Sequence, residues 1–364
     1  MNNELQTKVG IVTFHYAVNP GSALQAYGLY KTISSFGFDE VEIVNYQETK
    51  YRQQFMSFKP RFSLAGNIIQ LYNICSYIRY QRFWRGVVSM KKRLDEIDLQ
   101  KLKGYDIIVA GSDQIWNLEL TSRNFNFFIP FCKEAKKISY AASIGTKDFP
   151  EEDKEIVAKY LNDFSYLSVR EPEAQLAIER LIGRKPELVI DPSLLLNKSD
   201  YEQMSQKPKI KKDYVFLYLR HKDSEVVPFA KNYAKKHGLQ IVECHGGVRK
   251  IYKDDKIVMQ PNPREWLGWI MNAKYVFTDS FHGCAFCINC NKQFFAKISS
   301  ANSVMSSRIY NILDRYGLND RLIENENSMF SMTDIDFSES NALLEKDREL
   351  AKNYLKRSLG IIES

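Results

Sequence analysis

Short apolar runs alternate with stretches of helical periodicity twice over in these 364 residues, and that repeated alternation is what most restricts the fold. In the first series Lys8–Phe14 (KVGIVTF), Glu42–Asn45, Tyr105–Ala110 (YDIIVA), Lys137–Ala141, Tyr166–Val169 and Glu187–Ile190 read as strands. Helical spacing falls between them at Ala23–Phe36, Glu151–Phe164 and Pro172–Leu181. A polar, lysine-rich run, NKSDYEQMSQKPKIKKD (197–213), then breaks the pattern and reads as a connection. The series restarts with strands at Tyr214–Leu219, Gln240–Glu243, Tyr275–Thr278 and Phe294–Ala296. Helices are expected over 224–237, over 263–273, after Gly283, and through most of the tail from Ser306. Asn262-Pro263-Arg264-Glu265 is a capping box with proline at the first helical position. The expected class is therefore α/β: two doubly wound, Rossmann-like domains facing a cleft. Their boundaries are placed at 1–197 and 198–340, followed by a C-terminal helix over 341–364. The length is ample for two cores.

In such sheets ligands sit beyond the carboxyl ends of the strands, so the chemistry is sought in the turns there. After Phe14, Gly21 and Ser22 precede a helix whose first N–H groups suit a phosphate or carboxylate. An ordinary turn with an N-cap fits the same residues. After Ala110, Gly111-Ser112-Asp113-Gln114-Ile115-Trp116-Asn117 can orient sugar hydroxyls, with Asp113 as a base. The alternative is a helix cap with Trp116 in the core. After Val169, the fork of Arg170 matches a carboxylate or phosphate bidentately, unless Glu171 or Glu173 pairs with it. Arg220 and His221, after Leu219, would add positive charge. After Thr278, Asp279-Ser280-Phe281-His282-Gly283 turns tightly into a helix. Gly283 permits close backbone approach, and His282 can exchange a proton near neutral pH. A plain capping histidine is the simpler account.

Cys284, Cys287 and Cys290 have the spacing of iron–sulfur ligands, yet CAFCINC reads as one apolar helix on which they drift off a single face. They are expected to pack as small hydrophobes, with no metal bound. HExxH, a zinc quartet, GxGxxG and the P-loop are all absent, so no nicotinamide, flavin or other cofactor is expected. No run of about 18 apolar residues is present. MNNELQTKVGIVTFHY has neither the basic start nor the apolar stretch of a secretion signal, and six scattered Cys form no disulfide framework. A cytoplasmic location is the expectation.

The net charge of +7 is unevenly placed. Between Thr49 and Leu94 there are ten Lys and Arg and no acidic residue, interleaved with Tyr51, Phe55, Phe58, Tyr77, Tyr80, Phe83 and Trp84. The plainest reading is a helical pair, with Ile68, Leu71, Tyr72, Cys75 and Ile78 on one face and a solvated basic face opposite. A membrane-facing or anionic-acceptor surface is the alternative. A nucleic-acid partner is not expected.

Taken in order, NPGSALQAY (19–27), VAGSDQIWN (109–117), SVR (168–170), DPSLLL (191–196) and TDSFHG with the following NKQFF (278–295) resemble the polysaccharide pyruvyl transferase family. The resemblance runs over residues 8–325. It implies a fold similar to the two-domain GT-B glycosyltransferases. It also implies transfer of the enolpyruvyl unit of phosphoenolpyruvate to a sugar as a pyruvate ketal, with phosphate released and no cofactor. The residues tied to donor binding and catalysis carry over to His282 and Arg170, with Ser280, Gly283, Arg220 and Arg308 on the donor side. Gly21, Ser22, Gln25, Ser112 and Asp113 fall on the acceptor side. Family acceptors are often lipid-linked sugars at the inner membrane face, which would give the basic-aromatic stretch a docking purpose. Asn19-Pro20-Gly21-Ser22 departs from the family's usual first turn. Two other readings fit the same architecture: a nucleotide-sugar-dependent glycosyltransferase, or a non-catalytic lectin-like or membrane-associated assembly protein.

Overall fold

A computed structural model describes residues 7–58, 63–88, 90–220, 224–245, 256–259, 261–298 and 303–363. The first elements in chain order are β1 (Lys8–Val12), α1 (Pro20–Ser34), β2 (Glu40–Ile43), α2 (Thr49–Met56), α3 (Leu64–Val87), α4 (Glu96–Leu99), β3 (Ile107–Ala110) and β4 (Lys136–Ser139). Next come α5 (Lys154–Asn162), β5 (Ser168–Val169), α6 (Pro172–Ile182), β6 (Glu187–Leu188), α7 (Lys198–Met204), β7 (Tyr214–Tyr218), α8 (Val226–His237), β8 (Gln240–His245) and β9 (Lys256–Met259). The chain ends with α9 (Pro263–Asn272), β10 (Tyr275–Thr278), α10 (Phe281–Asn289), β11 (Phe294–Ala296), α11 (Ser303–Arg315), α12 (Glu326–Ser331) and α13 (Ser338–Leu359).

The chain divides into two compact units. The first comprises Met1–Val18, Ser22–Leu195 and Asp347–Ser364; the second comprises Asn19–Gly21 and Leu196–Lys346. In unit 1 the strands lie in the order β2-β1-β3-β4, all parallel. Parallel bridges from Ile138 to Tyr166 and from Ala142 to Val169 continue the sheet to β5, which pairs with β6. This is the flavodoxin-like winding, whose switch point lies between β1 and β3. Strands buried on both faces need continuous apolar runs, and β3 is buried at all four positions. Trp116 is fully buried and stacks on Phe128 at 5.2 Å between centroids. The second half of α13 belongs to unit 1: Arg348 Nε donates to Leu194 O at 2.7 Å and the Tyr354 hydroxyl to Ser139 O at 2.7 Å.

In unit 2 the order is β11-β10-β7-β8-β9, again all parallel, with the switch point between β7 and β10. The capping box opens α9 as its sequence requires, with Asn262 accepting from Arg264 N and Glu265 N, and Glu265 accepting from Asn262 N. The lysine-rich run is not the plain connection expected of it. Its first residues form α7 behind a second capping box, Asn197 with Asp200, and bury Tyr201 and Met204. Two apolar residues one turn apart outweigh the polar composition around them.

The basic-aromatic stretch forms α2 and α3, and Arg82 and Arg85 are solvated as expected, but the face expected in the core is not the one buried. The buried side of α3 is Ser76, Tyr77, Tyr80, Phe83 and Trp84. Ile68, Leu71, Cys75 and Ile78, the apolar face in the sequence, point to solvent. Four large aromatic side chains offer more surface to bury than the aliphatic stripe and win the core. Among the described residues, no helix is long and apolar enough to cross a membrane.

Candidate active site

The site residues collect at the carboxyl ends of both sheets, beside each switch point, as parallel winding dictates. In unit 1, Thr13 Oγ1 donates to Ser112 O at 3.0 Å, Gln25 Nε2 donates to Thr13 Oγ1 at 3.0 Å, and Ser112 N donates to Gln25 Oε1 at 3.3 Å. The Ser112 hydroxyl donates to Ala141 O at 2.6 Å. Gln25 and Ser112 are fully buried. Expected as acceptor contacts, both spend their polar groups on framing the loop instead.

The Gly111–Ser112 peptide is cis, and Asp113 follows with φ 71°. Ser22 Oγ donates to Asp113 Oδ2 at 2.5 Å, and Gln114 N donates to Oδ1 at 2.8 Å. Arg170 was expected to present an open fork. Its side chain is only 3% exposed and is held by three carboxylates of the same unit. Nη1 lies 2.6 Å from Asp191 Oδ2, Nε 3.0 Å from Glu171 Oε1, and Nη2 3.6 Å from Asp113 Oδ1. Burial works against the guanidinium charge, but Glu171, Asp191 and Asp113 more than offset it, so the group stays charged. Ser143 Oγ also donates to Glu171 Oε1 at 2.6 Å, while the buried Glu171 Oε2 accepts no hydrogen bond among the described residues. In sequence Glu171 stands out only as a possible partner for Arg170. Its site character shows once β4 and β5 are brought side by side.

A second residue passed over in the sequence is His15, just beyond β1. It is fully buried, with Nδ1 3.2 Å from Thr13 O, Nε2 3.3 Å from Asn45 Oδ1, and its carbonyl accepting from Trp84 Nε1 at 2.6 Å. Burial lowers its pKa to about 4, against the pull of its hydrogen bonds to Asn45 and Thr13. The unfolded chain therefore binds a proton near pH 6.5 that the native state refuses until about 4. Stability is full above pH 6.5 and is lost as the pH falls from there, by roughly 3 kcal/mol once below both values. Urea midpoints between pH 7 and pH 4 should show this slope, and His15→Gln should flatten it.

In unit 2, β10 ends at Thr278, whose Oγ1 donates to Tyr218 O at 2.9 Å and accepts from Ser280 N at 3.1 Å. Asp279 Oδ1 accepts from Arg220 N at 2.6 Å, joining the two strand ends, and the Arg220 side chain is exposed. Ser280 is the N-cap of α10: its hydroxyl accepts from Gly283 N at 3.5 Å, and its carbonyl from Cys284 N at 3.0 Å. Ser280, expected on the donor side, and the N–H groups of Gly283 and Cys284 thus satisfy one another. Gly283 is required by packing, since a Cβ there would lie 2.3 Å from Thr278 Oγ1. His282 sits in the first turn of α10 at 8% exposure. Gly21, which belongs to this unit, lies against it: a Cβ at Gly21 would come within 2.4 Å of His282 Cγ.

Arg308 is buried on α11. His221 falls outside the described residues. Cys284, Cys287 and Cys290 are fully buried, and burial pushes the Cys284 and Cys287 thiols up. Among the described residues, no group of His, Cys, Asp and Glu is arranged to hold a metal ion.

A family model described as polysaccharide pyruvyl transferase matches residues 19–300. No curated protein matches the chain by sequence. Among solved structures, the chain is similar to S. aureus MnaA, solved with UDP, at 11% identity and a TM-score of 0.56, covering 99% of this chain and 98% of that one. A putative UDP-N-acetylglucosamine 2-epimerase from Listeria monocytogenes is similar at 10% identity and a TM-score of 0.52, covering 98% of each chain. At such identities the likeness is one of fold, the two-unit α/β architecture of GT-B type.

Proposed function

The chain belongs to the polysaccharide pyruvyl transferase family, and on that premise we propose that it moves the pyruvyl unit of phosphoenolpyruvate onto a sugar of a surface-polysaccharide precursor in the cytoplasm. In the proposed reaction the C3 methylene of the donor takes up a proton and becomes a methyl group. Two sugar hydroxyls then form C–O bonds to C2, the C2–O bond to phosphate breaks, and phosphate leaves. The hydroxyls release two protons: one balances the C3 protonation and the other departs with phosphate or solvent.

The observation that carries this reading is His282. It is an imidazole in the first turn of α10, at the carboxyl end of β10, where a sheet of this winding places its ligand. An imidazole can both take up and give a proton, which is what delivery of a proton to C3 asks of a side chain. In unit 1, Asp113 and Glu171 are the groups we assign to accepting hydroxyl protons. Arg170 is assigned to holding both carboxylates in place rather than to gripping the donor. The exposed guanidinium of Arg220 is assigned to an anionic group of the donor.

Calorimetric titration with phosphoenolpyruvate, beside UDP and GDP, tests the donor. Phosphoenolpyruvate is expected to bind, and Arg220→Ala to weaken it about tenfold or more by removing a charge-assisted contact. A chain that binds UDP or GDP and ignores phosphoenolpyruvate would instead be a nucleotide-sugar glycosyltransferase.

A further inference from the structure

A cavity of about 470 Å³ in unit 1 lies against α2, α3 and the segment that follows α3, with Asn45 and Gln47, just beyond the end of β2, on its wall. Arg52, Arg85, Lys91, Lys92 and Arg93 line it, and no acidic side chain does. Lys91 is partly spoken for, at 2.6 Å from Glu40 Oε1 and 2.8 Å from Glu42 Oε2. Asp95 lies beside Arg93 and feels its charge. Among the described residues, Arg52, Arg85, Lys92 and Arg93 make no ion pair. A concave wall with this much uncompensated positive charge is held apart by packing and attracts polyanions. Its polar lining is already organised: the Tyr77 hydroxyl donates to Gln47 Oε1, and Gln47 Nε2 donates to Gln81 Oε1 at 3.2 Å.

The cavity adjoins the exposed stripe of α3. Ile68, Leu71, Cys75, Ile78, Arg82 and Arg85 follow one another at alternating steps of three and four, which is one helix face. All six are exposed; Ile68 is 57% and Leu71 53% exposed. The stripe is thus apolar toward the start of the helix and basic toward its end. Ile78 and Arg85 also line the cavity, so the apolar face and the cationic wall are one continuous surface.

We infer that this surface docks on an anionic bilayer: the cavity takes the phosphate headgroup of a lipid, and the apolar stripe of α3 sits at the boundary with the acyl chains. Charge selects the occupant. A neutral protein partner would cover the Ile and Leu stripe but would leave the adjoining cations uncompensated. An anionic lipid satisfies both parts, with phosphate on the guanidinium groups and hydrocarbon on the stripe. The inference does not depend on which reaction the chain catalyses.

Co-sedimentation with vesicles tests it, using phosphatidylglycerol mixed into phosphatidylcholine against phosphatidylcholine alone. The intact chain is expected to bind only the anionic vesicles, and to release them at about 1 M salt, where the Debye length is about 3 Å. Arg85→Glu is expected to weaken binding about tenfold or more, since each cation near the surface is worth about fivefold and reversal adds repulsion. Ile68→Ser with Leu71→Ser is expected to weaken binding by a similar factor. All three positions are exposed, so circular dichroism should report unchanged folding. No binding to anionic vesicles at low salt would overturn the inference, as would binding that both variants leave intact. Calorimetry with inorganic pyrophosphate separates the sources: heat on binding, without vesicle binding, would make the cavity a site for a free phosphate compound. A stable dimer in solution that the Ile68 and Leu71 substitutions dissolve would assign the stripe to a second copy of the chain and also overturn the inference.

Discussion

His282→Ala is expected to lower turnover roughly 10²- to 10⁴-fold, the usual worth of a general acid or base, while leaving the fold intact. Alanine is the better helix former in the first turn of α10, and Ser280 still caps the helix in the variant. The loss should therefore appear in kcat rather than in the urea midpoint. His282→Gln sharpens the test, because it keeps a hydrogen-bonding side chain of similar length but cannot exchange a proton near pH 7. If protonation of C3 is the role, glutamine should be nearly as poor as alanine. Turnover in His282→Gln close to that of the unsubstituted chain would remove the proton-transfer assignment and leave His282 as a packing neighbour of Gly21.

The strand and helix alternation carried the fold, because parallel sheets covered on both faces require uninterrupted apolar strands, and such runs survive in a single sequence. β3 and β7 are buried along their whole length, as IIVA and YVFLY demand. The same logic placed Asp113, Arg170, Arg220 and His282 at strand ends. What those side chains touch was not legible. The partners of Arg170 at 113 and 191 come from distant parts of the chain, and only the pairing of β3, β4, β5 and β6 draws them together. Gln25 and Ser112 were misjudged for the same reason: a buried amide bonded to Thr13 Oγ1 and Ser112 N, and a buried hydroxyl bonded to Ala141 O, look in sequence like groups waiting for a ligand. In α3 the periodicity was right and the core face misassigned, since apolar spacing marks a face without saying which of two faces meets the core. His15 carried no signal at all, because nothing local distinguishes a buried imidazole from an exposed one.

The other large effect is expected at Arg170, and there it is one of stability. The guanidinium lies among Asp113, Glu171 and Asp191, and its side chain is almost wholly out of water. Arg170→Met keeps most of the volume and removes the charge, so the three carboxylates are left facing one another. Breaking a buried ion pair from one side typically costs about 3–5 kcal/mol, which is a large share of the roughly 5–15 kcal/mol that keeps a domain folded. Arg170→Lys should recover only part of that loss, because a single ammonium cannot reach three acceptors through a planar fork. Urea midpoints of the three proteins measure this directly. The competing role, direct contact with the donor as the family resemblance implies, makes the opposite forecast: Arg170→Met would unfold at the same urea concentration as the unsubstituted chain yet fail to bind phosphoenolpyruvate. With the fork already committed to Asp191 at 2.6 Å and Glu171 at 3.0 Å, a donor carboxylate would have to displace a carboxylate that is covalently part of the unit. It would pay the entropy of its own capture, which the resident group does not. That asymmetry is why the effect is placed in the fold, and why the activity of Arg170→Lys should follow how well Asp113 and Glu171 stay in position rather than how tightly the donor is held.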